Sequence, residues 1–214
     1  ALIVSSYSFA QSGHNHEGEA QKKGDQHGDM HGGDHHGMGG MMMHGGHHKL
    51  DKATLKHFFE PLPASIIDEK KHAALIALGK KLYRDPRLSV NDTISCNSCH
   101  QLTNFGVDSQ PTSPGHDGTR GGRNSPTTFN AALHIAQFWD GRAKDVEEQA
   151  LGPILNPIEM GMPSEEAVVN KLKKIDEYKT LFAEAFKGEK DPIQYKNIGK
   201  AIGAFERTLL TPSR

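Results

Sequence analysis

One Cys-Asn-Ser-Cys-His run, Cys96 to His100, holds the only two cysteines of the 214-residue sequence. The spacing is that of a c-type haem attachment site. Two thiols a short step apart on one turn of backbone can each add to a vinyl group on one edge of a porphyrin. The imidazole of His100, directly after the second thiol, then reaches the iron as proximal ligand. With Cys96 and Cys99 consumed, no thiol is left for a disulfide. Other uses of a Cys-x-x-Cys pair fit less well. A thioredoxin-like site needs a βαβ setting, and the chain has no convincing strand pattern. A zinc site needs a second cysteine pair.

Composition divides the chain. Residues 11–50 hold one large aliphatic residue, Leu50, among Gly, His, Met, Asp and Lys. Such a stretch cannot offset its ordering entropy by burial and is expected to be disordered. Ala1 to Phe9 reads as an apolar region followed by a polar break at Gln11. It resembles the tail of a secretory signal peptide without its basic start. The expected organisation is a signal-peptide remnant over 1–10, a disordered segment over 11–54 and a folded domain over 55–214. Export to the periplasm would suit the haem reading, because bacteria attach c-type haem outside the cytoplasm. No other run is long enough to span a membrane. The net charge of −1 gives no case for nucleic acid binding.

Nine histidines between His14 and His48 are interleaved with five methionines between Met30 and Met43. Imidazole and thioether together suit copper, with Met favouring Cu(I). A metal-scavenging tail and a low-complexity linker without metal function are both open for this tract.

The rest reads as all-α. From Ser65 the pattern turns helical, with Ile67, Leu75, Leu78 and Leu82 on one face up to Asp85-Pro86. A short helix should carry the haem motif. Residues 103–130, rich in Gly, Pro, Ser, Thr and Asn, read as a long loop able to wrap a cofactor. Helical periodicity resumes near Asp145. Ser164 is an N-cap before Glu165 and Glu166. Val168, Leu172 and Ile175 form one apolar stripe, and Tyr178, Leu181, Phe182 and Ala185 another, ended by Gly188. Tyr195, Ile198, Ile202, Phe205 and Leu209 mark the last helix.

Several ordered runs then share one resemblance. Leu78-Gly79-Lys80-Lys81-Leu82-Tyr83-Arg84-Asp85-Pro86-Arg87-Leu88-Ser89 leads into the haem motif. Gly115-His116-Asp117-Gly118 and Arg120-Gly121-Gly122-Arg123-Asn124-Ser125-Pro126-Thr127 follow. Next come Gln137-Phe138-Trp139-Asp140-Gly141-Arg142-Ala143, Glu147 to Ile154, Asn156-Pro157-Ile158-Glu159-Met160-Gly161 and Ala204-Phe205-Glu206-Arg207-Thr208-Leu209. Together these resemble the N-terminal domain of bacterial di-haem cytochrome c peroxidases, over residues 64–214.

The resemblance implies an all-α c-type cytochrome domain whose haem c reduces hydrogen peroxide to water. His100 would be the proximal ligand. His116 matches the distal histidine that caps the iron at rest and leaves when a second haem is reduced. Glu159 matches the catalytic carboxylate, Gln149 the nearby amide and Trp139 an indole between two haems. Packing would account for part of Trp139's presence. Asn124 matches a ligand of a calcium ion shared with a second domain. The expected partners are a small donor cytochrome c or cupredoxin and, in a homodimer, a second copy. No second Cys-x-x-Cys-His stands before Arg214, so the chain reads as a piece truncated at both ends. Two competing functions remain open. One is a non-catalytic electron-transfer cytochrome, with His116 as a permanent ligand. The other is a side-chain-oxidising relative. Gln149 and Glu159 together favour the peroxidase, since an electron carrier needs neither.

Overall fold

The close approach of two helices organises the domain. In the computed structural model, which describes residues 51–56 and 58–212, Gly79 of helix α2 (Ala73–Arg84) lies directly on the backbone of helix α7 (Tyr195–Glu206). A Cβ at Gly79 would stand 1.8 Å from the carbonyl oxygen of Ala201, so no other residue fits without parting the helices. On another side of α7, Gly199 and Gly203 receive helix α4 (Val146–Leu155), again at distances that leave no room for a Cβ. Helices α5 (Glu165–Lys173) and α6 (Asp176–Ala185) complete the packing. No strand is formed among the described residues; two isolated bridges join Pro114 to Arg120 and Gln137 to Ala143.

The chain divides after Phe58. The preceding unit contributes one described element, helix α1 (Lys52–Lys56), with Asp51 accepting from the Thr54 amide at 2.7 Å. The signal-like start and the His/Met tract lie outside the described residues.

The apolar stripes become the core. Leu78, Leu82, Val168, Leu172, Tyr178, Phe182, Ile198 and Ile202 are buried, with Tyr83 edge-on to Phe205 at 5.3 Å. Ser164 caps α5 by accepting from the Ala167 amide, and Asp145 caps α4 by accepting from the Glu148 amide. The helix predicted from Ser65 begins only at Ala73. Residues 65–72 form turns, because Ser65 Oγ donates to the Ile67 carbonyl and Asp68 accepts from the Lys71 amide. These local side-chain bonds compete with the helical ladder. The other end falls where Asp85-Pro86 predicts it, with Asp85 extended. Leu209 lies beyond α7, in the chain that follows Glu206.

Asp85 is buried and ties α2 to α6. It accepts from Tyr178 Oη at 2.6 Å, from the Arg87 amide at 2.9 Å and from Arg87 Nε at 2.8 Å. Burial pushes its carboxyl up, but the bonds from Arg87 and Tyr178 outweigh that and hold it below the usual range.

Candidate functional site

The haem motif forms helix α3 (Cys96–Cys99), a single turn closed by the His100 amide donating to the Cys96 carbonyl at 2.9 Å. Two serines start it: the Ser95 amide donates to Ser98 Oγ, and the Ser98 amide to the Ser95 carbonyl, both at 3.0 Å. Cys96 and Cys99 stand three residues apart on one face of this turn. Both are free thiols lining one cavity of about 620 Å³, within the range of roughly 300–1,000 Å³ usual for cofactor sites. They are half-buried, opening onto this cavity. Burial still pushes both thiols up, Cys96 to about 12 with Glu206 adding to the effect.

His100 is oriented from two sides. Its Nδ1 lies 2.9 Å from the Pro126 carbonyl oxygen. A carbonyl only accepts, so Nδ1 carries the proton and Nε2 keeps its lone pair for a metal. Its own carbonyl accepts from Tyr83 Oη at 2.8 Å, and that hydroxyl also lies 3.1 Å from Thr128 Oγ1. Burial lowers the imidazole's proton affinity, which favours the neutral ring that a metal needs. The 103–130 segment is the expected loop, pinned by a Ser113–Ser125 hydroxyl contact at 2.6 Å and by Thr127 Oγ1 donating to the Phe105 carbonyl at 2.6 Å. Its far end delivers Pro126 to His100.

Helix α4 supplies Gln149, Ala150 and Pro153 to the cavity wall. Pro153 stands inside the helix and has no N–H, which removes the bond that the Gln149 carbonyl would otherwise accept. After α4, Glu159 reaches the cavity. Its Oε1 accepts from Asn156 Nδ2 at 2.9 Å, while Asn156 Oδ1 accepts from the Ile158 amide at 3.0 Å, so the amide's orientation is determined at both ends. Burial raises the Glu159 carboxyl above its ordinary value, with the Asn156 bond opposing.

The segment between bridged Gln137 and Ala143 carries Phe138, Trp139 and Arg142 to the rim. Arg142 lies over the Phe138 ring at 3.4 Å and pairs with Asp140 at 2.8 Å; Arg123 meets the same carboxylate at 3.3 Å. Trp139 is 60 % exposed, with Nε1 donating to the Asn124 carbonyl at 3.0 Å. The indole lines the cavity mouth and lies outside the core, so the packing expected to account for part of its presence is not found.

Seven of the eight residues singled out in the sequence surround one cavity: Cys96, Cys99, His100, Asn124, Trp139, Gln149 and Glu159. His116 does not line it. Its ring Nε2 lies 3.2 Å from the Pro157 carbonyl, its amide donates to the Glu159 carbonyl at 2.8 Å, and its carbonyl accepts from Asn91 Nδ2 at 2.6 Å. The ring also covers Gly161, whose φ of +70° and lack of a Cβ make room for it. Sequence reasoning passed over the supports of His100, namely Tyr83, Pro126 and Thr128, and the buried wall residue Glu206. No cluster of three His, Cys, Asp or Glu capable of holding a metal ion occurs among the described residues.

A free-thiol pair on one turn, a neutral imidazole with its Nε2 available and a cavity of this size fit a covalently held haem. Comparison with known proteins agrees. The family model described as di-haem cytochrome c peroxidase matches residues 73–214. Cytochrome c551 peroxidase of Pseudomonas aeruginosa is 45% identical over 161 residues, covering 72% of this chain and 45% of that protein. Cytochrome c peroxidase Ccp of Escherichia coli is 45% identical over 157 residues, covering 72% and 32%. The methylamine utilization protein MauG of Methylorubrum extorquens is 39% identical over 164 residues, covering 75% and 46%. Among solved structures, a MauG-like protein associated with microbial copper homeostasis superposes with a TM-score of 0.64 at 29% identity, over 72% of this chain and 46% of that one. The chain spans less than half the length of these relatives.

Proposed function

Because the chain belongs to the di-haem cytochrome c peroxidase family, we propose that it forms a peroxide-reducing haem site. The reaction is H₂O₂ + 2e⁻ + 2H⁺ → 2H₂O. The observation that carries this reading is the convergence of Gln149 and Glu159 on the cavity that Cys96, Cys99 and His100 line. An electron carrier has no use for a half-buried carboxyl and an amide in its haem cavity.

Bound haem c would supply the electrons and the Lewis-acidic iron for cleaving the O–O bond. Cys96 and Cys99 would hold it through thioether bonds, and His100 would ligate iron through Nε2. Arg123 and Arg142 share one Asp140 carboxylate, which leaves net positive charge for the porphyrin carboxylates. Gln149 orients peroxide by hydrogen bonding. Glu159 takes the proton from one peroxide oxygen and returns it to the other, a transfer worth on the order of 10²–10⁴-fold when the group is positioned. Asn156, held in one orientation, keeps that carboxylate in place. His116, docked on Pro157, lies outside the cavity that Gln149 and Glu159 line, and would have to leave this dock to reach a bound haem.

Electrons would come from a small donor cytochrome or a cupredoxin, with Trp139 on the route from a second haem. The site would work in the periplasm, and Asn124 would give one oxygen to a calcium ion completed by water and by groups outside this chain. The test is Glu159→Gln in the holoprotein. The haem spectrum should be retained and peroxide turnover lost; turnover near that of the parent would refute the role.

A further inference from the structure

Glu206 has no part in the mechanism above, yet it is built into the same cavity. It is the last residue of α7, 4 % exposed, and it lines the wall beside Cys96. Among the described residues no hydrogen bond reaches its carboxyl, so both oxygens are uncommitted. Its neighbour Arg207 compensates it only in part. That guanidinium is taken by Glu147 of α4, with Nε and Nη2 donating at 2.9 and 2.8 Å. The remaining groups coupled to Glu206 are Tyr83 of α2, itself beside Arg84, and Cys96 of α3. The Tyr83 hydroxyl is engaged with His100 and Thr128, Arg84 lies over the Phe205 ring at 5.7 Å, and Cys96 becomes a neutral thioether once haem is attached.

A buried acid with no counter-ion of its own, facing a cofactor that changes charge, has one chemical use that geometry suggests. Resting on the haem reading, we propose that Glu206 is a redox-linked proton site. When one electron from the donor protein reaches the haem, one proton from solvent binds the Glu206 carboxylate; when the electron leaves, the O–H bond breaks and the proton returns to solvent. The net charge around the haem is then the same before and after. In a low-dielectric enclosure an uncompensated charge is costly, which is why the two transfers would be coupled. Burial, reinforced by Glu147 and opposed by Arg207, pushes this carboxyl up to about 8, near enough to neutrality to gain and lose its proton. Glu206 is thereby a positioning residue for charge, distinct from Glu159, which handles the peroxide protons.

The test is a spectroelectrochemical titration of the haem on Cys96 and Cys99 in the holoprotein, across about three pH units around about 8. The parent midpoint should fall by up to ~59 mV for each tenfold drop in proton activity. Glu206→Gln should abolish that dependence, and Glu206→Asp, which keeps the acid, should restore it in a displaced pH window. Equal slopes in parent and Gln variant would overturn the proposal. Should the Gln variant fail to fold, an Asp variant with the parent's window would overturn it equally. Haem attachment, read from the covalent haem spectrum, separates the two levels. A chain without covalent haem refutes both readings, whereas covalent haem with a pH-independent midpoint refutes only the role of Glu206.

Discussion

Tyr83 Oη donates to the carbonyl oxygen of His100 at 2.8 Å from a side chain with no solvent exposure. One bond thus couples the central helix α2 to the residue that would ligate iron. Tyr83→Phe keeps the ring against Phe205 but strands the buried carbonyl. It should lower unfolding free energy by about 1–3 kcal/mol. Urea denaturation measures this, and a cost near zero would mean that water replaces the hydroxyl.

Asp85 should make the protein acid-sensitive. Its carboxyl is held below the usual range in the folded state. A depressed folded pKa contributes stability that is present above the unfolded value of about 3.9 and lost as pH falls through the lower folded value. Asp85→Asn should therefore lose less stability than the parent on acidification below about pH 4. Parallel stability curves for the two proteins would contradict that.

Gly79→Ala places a methyl group where the Ala201 carbonyl stands. Parting α2 from α7 should cost at least about 1–3 kcal/mol, the usual overpacking penalty. A thermal melt at the parent's temperature would show that the two helices can separate freely.

Trp139 tests electron delivery apart from packing. At 60 % exposure, with one hydrogen bond at the surface, Trp139→Phe should change stability by less than about 0.5 kcal/mol. Donor-dependent turnover should nevertheless fall. Unaltered turnover would remove the indole from the electron route.

How much of this was legible in the sequence depends on whether the cause was local. Leu78 and Leu82, Val168 and Leu172, and Tyr178 and Phe182 announce their buried faces by helical spacing, and Asp85-Pro86 announces a stop. The start of α2 was misplaced because Ser65 and Asp68 satisfy nearby backbone groups and so delay the helix. The thiols and His100 follow from spacing alone. Pro126 as the partner of His100 does not, since 26 residues of loop separate them. Glu206 reads as a surface residue in any local window. It is buried only because α2, α3 and α4 close around the end of α7. Trp139 is the opposite case: a lone tryptophan suggests core in a local window, and only the resemblance sets it at the site, where two bridged residues hold it at the rim.

The burial of the thiols has a consequence in time. The shift of Cys96 from 9.0 to about 12 leaves roughly a thousandfold less thiolate near neutral pH. A chain folded without its cofactor should therefore react with an alkylating reagent far more slowly at Cys96 than an unfolded one does; equal rates would contradict the shift. Maturation then has a favoured order. Attachment is therefore chemically easier while the chain is still open, when the sulfurs keep their ordinary thiolate fraction.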